Sequence, residues 1–422
     1  MCSRQYTSKT MRKFVINRRS IIKGLAASSV AGVASMASKS TIALNNKQTC
    51  RGFSSAEWEA RLSTLAKYSS SRIPGFSVTY LSKNIPEWSQ ARGLISAEQK
   101  NKVTPDTIFQ AASLTKPIVA TIVMRLRERG VIELDKPLLE YFDYPDVMSS
   151  PEAKKVTARL VLSHRTGLPN WRKVEDGLTV KFMSAPGEKH GYSGEGYIWL
   201  QASLEEITGK SLHQLANEEV FEPLSMKNSS LGFIPDRIKS KNFARAHDGN
   251  ANLLGDGKVK KIADAFINEG FDIAKMHFVE ARSRISSSKS LSEILKTHPT
   301  HVPVTASGSL VCTSSDYAHF MRVFTNGSSS KFMQDESIQE MLKPHIKIKP
   351  YTSAGLGGQL EHTPTGMAFS HGGFNRGFKS FSIGRPDTDQ VAVLLTNSNE
   401  GQRLRWPIIG RLTDAGHADF LG

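Results

Sequence analysis

The stretch "FQAASLTKPIVATIVMRLRERG", residues 109–130, places a serine three positions before a lysine at the head of an amphipathic segment. Apolar residues after Lys116 recur at helical spacing, which predicts a helix over 113–130 stopped by Gly130. One turn of such a helix puts Ser113 and Lys116 on the same face. Two readings compete. In one, Ser113 caps the helix and Lys116 is solvated. In the other, Ser113 is a nucleophile and Lys116 is its proton partner. A serine hydroxyl attacks poorly until a base takes its proton. A lysine can serve only if burial or a neighbouring cation lowers its pKa.

The composition narrows the classes of function. The chain has 422 residues, 39% apolar and 22% charged, which is ordinary for a globular protein. Its formal net charge of +16 is unevenly spread. Arg4, Lys9, Arg12, Lys13, Arg18, Arg19, Lys23 and Lys39, with no acid among residues 1–40, supply half of it. No dense Lys/Arg run interleaved with aromatics follows, so the sequence argues against nucleic-acid binding. "NRRSIIKGLAASSVAGVASMASKS" carries paired arginines, Arg18 and Arg19, ahead of a small-residue apolar run. It resembles a twin-arginine export signal and predicts a flexible export segment over 1–43 and delivery to a bacterial periplasm. The run is too short and too Ala/Ser-rich for a stable membrane span. Cys50 and Cys312 are too far apart to make a disulfide framework and read as unpaired thiols.

Along the chain, "SSAEWEARLSTLAKYSS" (54–70) opens on a serine cap and predicts a helix. "GFSVTYLS" (75–82) alternates as a strand and pairs with "EWSQARGLI" (87–95) as a hairpin. Short helices broken by Pro and Gly fill 131–235. Residues 250–300 are polar and basic and read as a variable insertion or mobile lid. Strand patterns return at 367–373, 378–386 and 390–399, and a last helix is expected over 402–415. The expectation is an α/β (α+β) fold over 44–422. An antiparallel sheet built from both chain ends (about 54–112 and 305–422) is flanked by helices. A mostly helical lobe (about 113–304) is inserted between its halves.

An ordered set of segments carries a resemblance. "TIFQAASLTKPIVATIVMRL", "GVIELDKPLLEYF", "VTARLVLSHRTGLPNW", "YSGEGYIWLQASLEEITGKSLHQLANEEVFEPLSMKNSSL", "TASGSLVCTSSDYAHFM" and "SHGGFNRGFKSFSIGRP" run in sequence over roughly 75–400. Together they resemble the serine β-lactamase and penicillin-binding protein superfamily, in its class C β-lactamase-related branch. The Ser-x-x-Lys element is itself an established signature of those enzymes. The resemblance implies a β-lactamase/transpeptidase-like fold and a serine hydrolase working through an acyl-enzyme. It makes Ser113 the acylated nucleophile and Lys116 its proton partner. Tyr192, in the place of the family's Tyr-x-Asn tyrosine, shuttles a proton, and its phenol pKa is expected to fall beside cations such as Lys116. His371, in "HGG", stands at the family's Lys-Thr-Gly triplet and is expected to be a donor, or a cation, opposite Tyr192. The backbone N–H groups of Ser113 and Phe374 make the implied oxyanion hole.

The chain departs from the pattern at Gly194, where the family carries the substrate-contacting Asn, and at Gly372–Gly373, which lack the hydroxyl of a Thr. Both departures lean toward esters or generic acyl substrates and away from β-lactams or D-Ala-D-Ala stems. The alternatives are a D-alanyl-D-alanine carboxypeptidase, a class C-like β-lactamase and a penicillin-binding sensor without turnover. His164 reads as structural, supporting a turn at Gly167. "GYSGE" fails as a nucleophile elbow because Glu195 stands at its fifth position. "HPTH" (298–301) lacks a third ligand, so no metal and no cofactor are expected. The implied partner is a small-molecule acyl substrate, and the sequence sets no oligomeric state.

Overall fold

The computed structural model describes residues 49–415 apart from 51–52, 84, 99, 174–175, 178, 239, 256, 297–301, 326–330 and 364–365. The export segment expected over 1–43 and the "HPTH" pair therefore lie outside the described residues.

Eight strands form one antiparallel sheet: β1 (Gly75–Ser82), β2 (Ile85–Gly93), β6 (Ile346–Lys349), β7 (Thr352–Ala354), β8 (Gln359–Thr363), β9 (Gly366–Asn375), β10 (Phe378–Arg385) and β11 (Gln390–Thr396), with β3 (Phe109–Ala112), β4 (Ser230–Leu231) and β5 (Leu310–Cys312) in a second, three-stranded sheet. The large sheet runs β2-β1-β11-β10-β9-β8-β7-β6. β1 lies against β11 with Thr79 opposite Val393, so an early hairpin and the late strands share one sheet. β1, second from the sheet edge, is buried along nearly its whole length.

Helices cover the two faces. α1 (Ser55–Ser69) starts at a capping box in which the Ser54 hydroxyl accepts from Glu57 N at 3.2 Å and the Glu57 carboxylate accepts from Ser54 N at 2.9 Å. Its Trp58 and Leu62 pack on Tyr80, Phe381 and Leu394 of the sheet. The other face carries α2 (Thr115–Glu128), α3 (Ala158–Leu162), α4 (Gly194–Thr208), α5 (Leu212–Ala216), α6 (Lys258–Asn268), α7 (Phe278–Ser287) and α8 (Ser314–Arg322), whose apolar residues join one large core. Among the described residues no helix is long and apolar enough to cross a membrane.

Four expectations change. Phe109–Ala112 does not extend the large sheet; it pairs with Leu310–Cys312, which lifts the chain toward the helical side just before Ser113. The described part of residues 250–300 is not a loose lid. Ile262 and Phe266 on α6 and Phe278 and Ile285 on α7 are buried in the main core, so their apolar faces anchor the segment. The terminal helix is broken into a 3-10 turn (Gly401–Leu404), a π turn (Trp406–Gly410) and Arg411–Thr413. Pro407 has no N–H to donate and stands where a continuous helix would need one. Strands β6 to β8 had no counterpart in the sequence reading. Cys312 is a buried free thiol, its pKa pushed up by burial.

Candidate active site

Ser113 sits between β3 and α2, behind Ala112, whose φ is +52°. A non-glycine residue in the left-handed region is strained, and such strain gathers at functional sites. Ser113 does not cap the helix, because the N-cap position is Leu114 and carries no side-chain cap bond. Its half-buried hydroxyl instead accepts a hydrogen bond from Lys116 Nζ at 3.2 Å.

Lys116 is 1% exposed. Its ammonium donates to the Ser307 carbonyl at 2.6 Å and lies 4.8 Å from the Tyr192 ring centroid and 5.2 Å from that of Tyr197. No carboxylate among the described residues contacts it. Aromatic faces stabilise a cation only weakly, by roughly 0.5–2 kcal/mol. Burial dominates and brings the Lys116 pKa down to about 7. The amine thus has a neutral fraction at neutral pH and can take the serine proton.

The Ser307 carbonyl is fixed from α4. Gln201 accepts from Ala306 N at 2.8 Å and donates to the Val304 carbonyl at 3.1 Å, clamping the backbone beside Ser307. Behind Gln201 lies Glu205, raised to about 7 by burial and holding Phe278 N at 2.7 Å and Leu212 N at 3.0 Å. These polar residues on a buried helix are satisfied, as their burial requires.

Tyr192 precedes α4. The ring faces the cleft, while its hydroxyl interacts with that of Ser113. The phenol does not acquire the lowered pKa expected from the sequence. Desolvation pushes it up to about 12, against the weaker opposing effect of the Ser113 hydrogen bond. Lys116 has already lost its proton at the pH where the phenol titrates, so it offers no positive charge to oppose this. Tyr192 is therefore a proton donor.

His371 also differs from expectation. Burial first, then the Lys116 charge, lowers its pKa to about 3. The imidazole is neutral, not a cation. Its Nδ1 lies 2.8 Å from the Gly372 carbonyl, which can only accept, so Nδ1 carries the proton and Nε2 presents a lone pair. The Tyr192 and His371 ring centroids are 6.3 Å apart.

The glycines after His371 allow close approach. A Cβ on Gly373 would fall 2.3 Å from the Ala111 carbonyl, 2.1 Å from Ser380 Oγ and 3.2 Å from Ser113 N. Only a glycine lets β9 press this closely on Ser113, which brings the backbone leading into Phe374 beside the Ser113 amide. A Cβ on Gly372 would meet the Phe374 ring at 3.3 Å.

Sequence reasoning undervalued His164. Its backbone is left-handed at φ +55°, its Nδ1 accepts from Ser193 N at 3.1 Å, and its carbonyl accepts from Gly191 N at 2.8 Å. Its ring lies 4.2 Å from the Tyr192 centroid. The residue brackets the 191–193 backbone and backs the phenol. The nearby "SHRTGLPNW" block was the signal available. Among the described residues no cluster of three or more His, Cys, Asp or Glu side chains could hold a metal ion.

Ser113, Lys116, Tyr192, His371, Gly372 and Phe374 all line one cleft of about 860 Å³, and Gly194 packs behind its Asn170 and Trp171. The volume falls in the range of small-molecule sites.

Comparisons with known proteins agree with this architecture. The chain is 26% identical over 204 residues to an unguisins hydrolase of Aspergillus campestris, covering 43% of this chain and 38% of that one. It is 28% identical over 181 residues to the esterase EstB of Burkholderia gladioli, covering 36% and 45%. The chain thus spans less than half the length of these two relatives. The solved structure of EstCE1, a hydrolase with promiscuous acyltransferase activity, shares the fold at a TM-score of 0.64 and 19% identity, over 85% of this chain and 98% of that one. The beta-lactamase family model matches residues 56–412. With most of its length matched, and with the fold described above, the chain belongs to the beta-lactamase family.

Proposed function

We propose that the protein is a serine hydrolase that forms an acyl-enzyme on Ser113 and prefers small esters to β-lactams. The observation that carries this reading is the contact between the Ser113 hydroxyl and a buried lysine that contacts no carboxylate among the described residues. In acylation, neutral Lys116 takes the Ser113 proton while the serine oxygen bonds to the substrate carbonyl carbon. The carbonyl electron pair moves onto its oxygen, facing the N–H groups of Ser113 and Phe374. The pair returns as the bond to the leaving group breaks, and Tyr192 supplies the proton that the departing oxygen takes up. The proton held on Lys116 then restores the phenol. In deacylation water bonds to the carbonyl carbon of the Ser113 ester, and its proton passes to neutral Lys116 by way of the Tyr192 phenol. The carbonyl pair moves onto its oxygen and returns as the bond to the Ser113 oxygen breaks. That oxygen takes the proton back from Lys116, while His371, neutral and accepting, holds the phenol's side of the cleft. Losing one oxyanion donor costs on the order of 10²–10³ in turnover in comparable sites.

The preference for esters rests on Gly194, which brings no amide to an acylamino side chain. The names of relatives support the same class, one being an esterase and another a hydrolase. Export through the twin-arginine-like segment over 1–43 is proposed on its sequence alone. The test is continuous release of p-nitrophenol from p-nitrophenyl acetate, with nitrocefin in parallel. We expect steady ester turnover that Ser113→Ala abolishes, and slower nitrocefin turnover. A single burst of one equivalent with no steady state would make the protein a sensor, and faster nitrocefin turnover would make it a β-lactamase.

A further inference from the structure

Two large aromatic side chains stand open on the walls of the cleft. Trp171 is 44% exposed and Phe374 is 60% exposed, and both line the same cavity as Ser113. An exposed aromatic on a mobile loop would mean little. Trp171 is instead held from both sides. Before it, the Asn170 carbonyl accepts from Gly194 N at 3.0 Å and Glu195 N at 3.2 Å, and the Asn170 side-chain oxygen also accepts from Gly194 N at 3.0 Å. After it, Arg172 bonds Glu195 through its backbone N at 3.2 Å and through its guanidinium at 3.0 and 2.6 Å. The indole therefore projects from a backbone fastened to the first turn of α4.

The position of that indole also explains the departure at 194. A Cβ on Gly194 would lie 2.9 and 3.0 Å from the Trp171 ring and 2.8 Å from the Asn170 carbonyl. The space that a larger residue would need is filled by Trp171. Also on the cleft wall, Phe374 folds over Gly372, and the Lys379 ammonium sits 4.8 Å from its ring centroid. Phe233 and Phe243 extend the apolar lining, and among the described residues no carboxylate lines the cleft. Rigid aromatics bind flat apolar groups well because little freedom is lost on contact.

We propose that Trp171 and Phe374 are specificity-determining walls that select substrates with a flat, apolar group attached to the scissile carbonyl, such as arylacetyl esters. This inference rests on the ester-hydrolase reading above. Its test uses the full chain and one leaving group, with the acyl part varied: p-nitrophenyl acetate, butyrate and phenylacetate. Wild type should favour phenylacetate over acetate in kcat/KM. Trp171→Ala should shrink that ratio about tenfold, mainly through KM for phenylacetate, while Trp171→Phe keeps most of it. If Trp171→Ala does not fold, Trp171→Leu, which fills the space without a flat face, should show the same loss of preference. A flat acyl profile in wild type, or a ratio unmoved by both Trp171→Ala and Trp171→Leu, overturns the proposal while leaving the hydrolase reading intact. Absence of turnover with every ester in wild type strikes the hydrolase reading itself.

Discussion

Two buried cations flank the first turn of α4, and the protein treats them oppositely. Arg172, 9% exposed, is matched by Glu195, itself 0% exposed, and by Asp146 at 3.1 Å. Burial would discharge the guanidinium, but the bond and charge of Glu195 outweigh it, and its pKa rises. Lys116 receives a carbonyl, a hydroxyl and two ring faces, but no carboxylate among the described residues, and its pKa falls. Counter-ions are supplied where a charge must hold a loop in place. They are withheld where a charge must be given up. The first arrangement fixes Trp171 and the backbone beside Tyr192; the second prepares a base.

The comparison breaks most visibly at Lys116. Lys116→Met should lower ester turnover by about 10³-fold or more, the scale of a lost general base. The same variant should be more stable than wild type to urea at pH 6. The sign follows from proton counting. Folded Lys116 releases its proton near 7, the unfolded chain only near 10.4, so between those values the unfolded state binds more protons and stability rises with pH. The advantage of the methionine should therefore shrink as the pH is raised from about 7 toward 10. An advantage that is constant with pH would mean that Lys116 is not held short of charge.

On the other side, Glu195→Gln leaves Arg172 buried with only Asp146. Denaturant titration should show a loss of about 3–5 kcal/mol, the usual effect of breaking a buried pair. A loss below 1 kcal/mol would show that the pair is not a fastening. The smallest effect belongs to Asp146, which is partly exposed. Burial raises its pKa, but the Arg282 hydrogen bond and the charges of Arg172 and Arg282 bring it to about 2. Its contribution is present above the ordinary carboxyl pKa near 3.9 and disappears as the pH falls toward 2. Asp146→Asn should flatten the stability slope between about pH 4 and 2 and leave stability at neutral pH reduced by roughly 1 kcal/mol.

Much of the fold was legible because local signals were strong. The Ser54–Glu57 capping box starts α1 as its sequence says, and the alternation of 75–82 marks a real strand. The Ser113–Lys116 pairing was readable because three residues make nearly one helical turn. The rest needed tertiary information. β6, "IKIK", is short, charged and half-exposed at a sheet edge, so no apolar run announced it. The apolar stripes of α6 and α7 were hidden among lysines and serines, and only their neighbours bury them. The directions at Tyr192 and His371 were misread for one reason. Sequence names the charged neighbour, but desolvation, which decided both, depends on how deeply the fold encloses the group. Trp171 likewise gains its meaning only from fastening by Glu195, more than twenty residues away in the chain.

The most direct test is the ionisation of Lys116 itself. Protein labelled with ¹³C at lysine Cε can be titrated by NMR, with the Lys116 signal assigned by its loss in Lys116→Arg. The account predicts a midpoint at about 7, matched by the pH at which acylation by p-nitrophenyl acetate reaches half its maximum. A midpoint near the ordinary lysine value of about 10.4 would mean that Lys116 stays charged at neutral pH and cannot be the base for Ser113.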